Sequence, residues 1–248
     1  MESNHFSWAQ VQTFRQCPRK WFWSRQWEPI EKSSHLLLDT MIREALAYFY
    51  SHSPDVRDFC QLEGKINENG IDADPDTCDT AYTMMKKYWD KYGEDENIIP
   101  LEIKHEINYL PHQFIFCPDM VIKQNDCIYL WENKTGKVDL ESLIIDDVQS
   151  RIYGHLHPMA PIGVIFNIIR PNGECHREPM VFAYGECELM WNSVCATISQ
   201  MKRGFNHMHP GYSCKFCEFR EPCRLLRWGL PTEAQFKENY KRVSDERD

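Results

Sequence analysis

Apolar positions along the chain repeat first at helical spacing, then at strand spacing, and finally at helical spacing again. Residues 7–27 predict a helix, although Pro18 also fits a break after Cys17, because proline removes a backbone donor. LLLDTMIREALAYFYS, residues 36–51, is continuously apolar and predicts a buried helix. The polar stretch from Ser53 to Asp76, with Pro54, Gly64, Gly70 and Pro75, reads as mostly loop, and Ala81, Met84, Met85, Tyr88 and Tyr92 then return at helical spacing. From residue 101 the pattern predicts strands: LEIKHEINYL, QFIFCPDMVIK and CIYLWENK. DLESLIIDDVQSRIYGHL follows as a helix, with Asp139 suited to the N-cap. Residues 162–170 and 176–183 predict a strand pair around Pro171-Asn172-Gly173. Trp191, Val194, Cys195, Ile198, Met201, Phe205 and Met208 stripe one long amphipathic helix. The expected architecture is α/β, a central mixed β-sheet flanked by helices in a single domain. Its core runs over about 35–208, and a terminal module is built from about 1–28 and 209–230.

The strand pair around residue 125 permits a geometric expectation. If Asn125-Asp126 is a two-residue turn, which suits residues tolerant of positive φ, Gln124 pairs with Cys127 and Asp119 falls opposite Glu132. Opposite residues share a face, and Lys134 shares it too, two positions along. Two carboxylates and an ammonium then converge. Hard cations such as Mg²⁺ or Mn²⁺ take carboxylate oxygens together with substrate phosphate, and Lys134 would orient the nucleophile and offset developing charge. Glu106, on the preceding predicted strand, is an additional ligand or base. Gln149 and Tyr153, at i and i+4, share a face of the next helix.

Composition narrows the class. A hydrophobic share of 42% supports a substantial core, and no apolar run approaches the ~20 residues of a membrane span; the longest, IGVIFNII, is strand-sized and interrupted by Asn167. Eleven cysteines without a signal peptide point to a reducing, cytoplasmic setting rather than a disulfide scaffold. A formal charge of -9 opposes non-specific polyanion binding, yet two stretches are basic. They are Arg15, Arg19, Lys20 and Arg25, and Lys215, Arg220, Arg224 and Arg227. Trp21, Phe22, Trp23 and Trp27 interleave with the first set, as a platform for stacking single-stranded bases would, or as packing around a metal centre would. The sequence contains no phosphate-binding loop of a motor.

Cys17 stands far from Cys214, Cys217 and Cys223. Structural zinc favours two close pairs, so this uneven spacing favours an iron–sulfur cluster; His207 and His209 keep a zinc site open. Either centre would staple the chain ends together and gather both basic groups. The other seven cysteines read as small, mostly buried apolar side chains.

SWAQVQTFRQCPRKWFW, CPDMVIK, LWENKTGK, DDVQSRIY and CKFCEFREPC, in that order over about residues 3–228, resemble the RecB-like iron–sulfur branch of the PD-(D/E)XK nucleases, the group of the CRISPR adaptation nucleases and the AddB nuclease domain. The resemblance implies Asp119, Glu132 and the Asn133 backbone carbonyl as metal ligands and Lys134 as the catalytic lysine. It implies Gln149 and Tyr153 at the rim and a structural 4Fe-4S cluster on Cys17, Cys214, Cys217 and Cys223. DNA, at ends or single-stranded regions, is the expected partner, contacted by Arg15, Arg19, Lys20, Arg43, Arg220 and Arg224. A helicase, recombinase or annealing protein would act alongside. One position departs from the family: Arg43 stands where a histidine ligand is expected, and His35 is too far along the helix to replace it. An arginine there would bridge Glu106 or Asp119. The expected activity is metal-dependent DNA hydrolysis; the alternatives are a weakened nuclease-like protein that binds DNA or a recombination partner, and an iron–sulfur redox sensor.

Overall fold

The computed structural model describes residues 5–30, 34–94, 98–109, 113–136, 139–141, 143 and 147–243. In chain order the elements are β1 (Phe6–Ser7), α1 (Trp8–Gln16), α2 (Pro18–Ser24), β2 (Trp27–Pro29), α3 (Ser34–Ser51), α4 (Phe59–Asn69), α5 (Pro75–Tyr92), β3 (Ile99–Ile103), β4 (Ile107–Tyr109), β5 (Phe114–Phe116), β6 (Met120–Gln124), β7 (Cys127–Thr135), α6 (Val148–Leu156), β8 (Gly163–Ile169), β9 (Cys175–Val181), α7 (Tyr184–Lys202), α8 (Arg220–Arg227), α9 (Glu233–Asn239) and β10 (Tyr240–Arg242). The chain divides into two compact units: residues 33–108 with 116–191, and residues 1–32 with 109–115 and 192–248.

The first unit carries a five-stranded mixed sheet in the order β3-β6-β7-β8-β9. Asn125 and Asp126 both have positive φ, so the turn is the two-residue type expected, and the ladder runs from Gln124↔Cys127 to Met120↔Trp131. β7 and β8 are parallel, with Asn133 opposite Asn167, and β9 returns antiparallel. β8 is buried along its whole length, as parallel strands covered on both faces are. One core joins α3, α4, α5 and the sheet through Met41, Phe49, Leu62, Ile66, Tyr88 and Trp131.

Several elements differ from the sequence expectation. Residues 59–69 form α4 where loop was expected. Asp58 caps the helix, and Leu62 and Ile66 are fully buried, worth about 1.5–3 kcal/mol each, which outweighs the roughly 1 kcal/mol cost of Gly64. The strand expected over LEIKHEINYL breaks after Ile103, with positive φ at Lys104, and QFIFCPDMVIK divides at Cys117-Pro118. Asp147, whose side chain accepts from the Ser150 N–H, caps α6; in the earlier part of the expected helix residues 140, 141 and 143 are helical, and 142 and 144–146 lie outside the described residues. α7 begins before the expected stripe and ends within it at Lys202, leaving Phe205 exposed beyond it.

In the second unit, Pro18 opens α2 and the chain breaks at Cys17, which accounts for two helices where 7–27 allowed one. β2 pairs with β10, and Trp23, Phe219, Phe236 and Tyr240 form a small aromatic core beside Cys217 and Cys223.

Candidate active site

Asp119 immediately precedes β6, and Glu132, Asn133 and Lys134 lie in sequence on β7, so pleating sends Glu132 and Lys134 to one face and Asn133 to the other. Asp119 Oδ2 accepts the Asn133 backbone N–H at 2.8 Å, which ties the two strand ends together. Lys134 Nζ donates to Glu132 Oε1 at 3.0 Å, and Gln149 Nε2, from α6, donates to the same oxygen at 3.1 Å. Both acidic side chains are buried, Asp119 at 9% and Glu132 at 3% exposure.

Electrostatics follow from that burial. Desolvation first and the Glu132 charge second push the Asp119 carboxyl up to about 7, and Arg43, the Asn133 N–H and Lys134 only partly offset them. Burial works against the charge of Lys134, but Glu132, Asp147 and the hydrogen bond to Glu132 outweigh it, so the ammonium is held above its ordinary range. Lys134 is therefore protonated beside Glu132. Burial raises Tyr153 as well, with Glu132 adding to it, and keeps the phenol neutral against the Phe116 ring at 5.1 Å.

The opposite face of β7 is a polar pocket in the core. Asn133 Oδ1 accepts from Trp131 Nε1 at 3.0 Å and from Asn167 Nδ2 at 2.8 Å; Asn167 Oδ1 accepts from the Tyr88 hydroxyl at 3.2 Å. Arg177 donates to the Tyr50 hydroxyl at 2.8 Å and lies over the Tyr92 ring. Sequence reasoning missed this support; its signal is the Asn167 amide inside an otherwise apolar strand.

Arg43, on α3, joins the carboxylates. Nη1 donates to Asp119 Oδ1 at 2.7 Å and Nε to Asp39 Oδ2 at 3.0 Å, while Nη2 lies 4.0 Å from Glu132 Oε1. It thus bridges to Asp119 and not to Glu106, which is exposed in the bend between β3 and β4 and lies on no strand. Asp39 and Thr135, which bond each other, are further contributors that sequence reasoning did not single out; Asp39 is legible as the i−4 partner of Arg43.

Among the described residues no group of three or more His, Cys, Asp or Glu side chains is arranged to hold a metal ion. The acidic pair nevertheless fits a hard cation. Its donors are carboxylate oxygens, the type a hard cation takes, and the two carboxylates lie near enough that the Glu132 charge adds to burial in raising Asp119. In the other unit Cys17, Cys214, Cys217 and Cys223 are free thiols. They are near enough that Cys17 raises both Cys217 and Cys223 and Cys214 raises Cys223, after burial as the larger cause, but they are not drawn into a ligand set.

The basic residues are distributed unevenly. Arg15 is anchored to Thr197 and Ser193, Arg19 lies over the Trp23 ring, Lys20 pairs with Glu218 and Arg224 with Glu221, and Arg220 is exposed. Trp21 and Trp23 are buried at 3% and 7%, so they are core residues and not a stacking platform; Phe22 is exposed. No helix among the described residues is long and apolar enough to cross a membrane.

No curated protein matches the chain. Among solved structures it is similar to one described as "Crystal structure of SSO0001", at 16% identity and a TM-score of 0.37, covering 75% of this chain and 92% of that one. The family described as the PD-(D/E)XK nuclease superfamily matches residues 5–224, a span that includes every one of the acidic-site residues above, and the chain belongs to that superfamily.

Proposed function

We propose that the protein is a Mg²⁺- or Mn²⁺-dependent deoxyribonuclease of the RecB-like iron–sulfur branch, an exonuclease or end- and single-strand-processing enzyme of DNA recombination, repair or replication. The observation that carries this reading is the convergence of buried Asp119 and Glu132 with a protonated Lys134 on one face of a hairpin.

Asp119, Glu132 and the Asn133 backbone carbonyl would hold the divalent ion. When bound, it supplies Lewis acidity to a phosphate oxygen and lowers the pKa of a water. Lys134, kept cationic by Glu132, orients the attacking water and offsets charge that develops on the phosphate. Gln149 fixes the Glu132 carboxylate through Oε1. Neutral Tyr153 is a hydroxyl donor at the rim. Arg15, Arg19, Lys20, Arg220 and Arg224 serve phosphate contacts, and the four cysteines hold a structural 4Fe-4S cluster, a reading supported by their spacing and mutual influence. A helicase, recombinase or annealing protein acts alongside.

The test is cleavage of end-labelled single- and double-stranded DNA with Mg²⁺ or Mn²⁺. Lys134→Ala should abolish cleavage and retain DNA binding; unchanged cleavage would move the active centre elsewhere. The Arg43–Asp119 ion pair favours a second reading, a weakened nuclease-like protein that binds DNA or a recombination partner. Wild-type protein that binds DNA but cleaves neither substrate with either metal would select it.

A further inference from the structure

Arg43 is braced before anything binds. Asp39, one helical turn back on α3, holds its Nε, and Asp39 Oδ1 in turn accepts from Thr135 Oγ1 at 2.7 Å. Thr135 directly follows Lys134, so the strand that carries the acidic site also fixes the guanidinium. A planar fork held at two corners loses little further freedom, and its bonds to carboxylates are charge-assisted.

Charge sets what else the cluster accepts. Asp39, Asp119, Glu132 and Asp147 act on Arg43 and Lys134, four carboxylates against two cations. One divalent ion brings formal balance. A second would leave an excess positive charge among buried groups, where unpaired charge is costly.

We propose that Arg43 is the resident cation of the site: it competes with a divalent ion for the Asp119 carboxylate and limits the site to one such ion. The inference rests on reading Asp119 and Glu132 as a divalent-ion site. Entry of the ion requires the 2.7 Å Arg43–Asp119 contact to loosen, and an incoming phosphodiester offers the guanidinium a bidentate alternative. Substrate and ion thus favour each other's binding.

Mn²⁺ binding without DNA, followed by calorimetry and by the spin-resonance signal of free Mn²⁺, tests this apart from activity. Wild-type protein should bind one ion. Arg43→Ala and the bulkier Arg43→Gln, each checked for native circular dichroism, should bind Mn²⁺ at least about tenfold more tightly or take a second ion, since a unit positive charge beside the ligands is gone. Either variant, folded and with wild-type affinity and stoichiometry or weaker binding, would overturn the competition. A wild-type protein that binds no Mn²⁺ would overturn the metal-site reading with it, whereas binding by wild type with no effect of Arg43 overturns this inference alone.

Discussion

Replacing Asp119 by asparagine should stabilise the metal-free protein while removing a ligand. An ionised Asp119 is opposed by burial and by Glu132, which carry its carboxyl from the ordinary 3.8 to about 7. At about 1.4 kcal/mol per pKa unit, that amounts to roughly 4 kcal/mol of folding free energy above pH 7. Asparagine returns part of this, because its amide cannot serve Arg43 as a carboxylate does, although Asp39 still holds the guanidinium. A net gain of about 1–3 kcal/mol remains, or about 2–10 °C in a chain of this size. The sign also fixes a pH dependence. With the folded pKa above the unfolded one, the native state holds the extra proton, so wild-type stability falls as pH rises from about 4 through about 7. Thermal melts of both proteins in chelator at pH 5 and pH 8 should therefore show an advantage for Asp119→Asn that grows toward pH 8. A variant no more stable at pH 8, or an advantage independent of pH, would refute the account of strain at the acidic pair.

Anaerobically purified protein should be brown and contain iron, and Cys17→Ser or Cys217→Ser should bleach it and lower its melting temperature; stoichiometric zinc without iron would defeat the cluster. Neutralising Arg19, Lys20, Arg220 and Arg224 together should weaken binding of all DNA sequences alike and flatten the dependence of affinity on salt, measured by fluorescence anisotropy, because each lost contact removes counterion release. Gly163→Ala should destabilise by about 1–3 kcal/mol or more in urea unfolding, since an added Cβ would lie 2.2 Å from the Met180 carbonyl oxygen on the paired strand.

The hairpin was legible because one local feature, Asn125-Asp126, set its register, and register then placed Asp119 beside Glu132 without any knowledge of the rest of the fold. Helix α4 was not, because Gly64 and the flanking prolines dominate a short window while the burial of Leu62 and Ile66 depends on distant elements. Tryptophans 21 and 23 show the same limit: an aromatic residue beside basic ones reads alike whether it faces solvent or packs on Phe14 and Phe219. Arg43 lay between these cases. Its helix and its Asp39 partner were local, but the choice of Asp119 over Glu106 depended on where the strand after Ile103 ends.

The Asn133–Asn167 pair has a consequence for how this sheet tolerates change. β7 and β8 run side by side in the same direction, and along β8 every neighbour of Asn167 from Val164 to Ile169 is apolar, so hydrophobic burial alone would accept a two-residue slide almost as well as the native alignment. Sliding would set Asn133 against Ile165 or Ile169 and Asn167 against Thr135 or Trp131, breaking the bond between the two amides at about 1–3 kcal/mol for each buried polar group left unpaired. The amides thus act as a key that admits one alignment, as a lone polar residue does in a coiled-coil seam. Glu132 and Lys134 take no part in that key, since they project from the other side of the strand. Their chemistry can be exchanged by mutation while the alignment that presents it stays fixed.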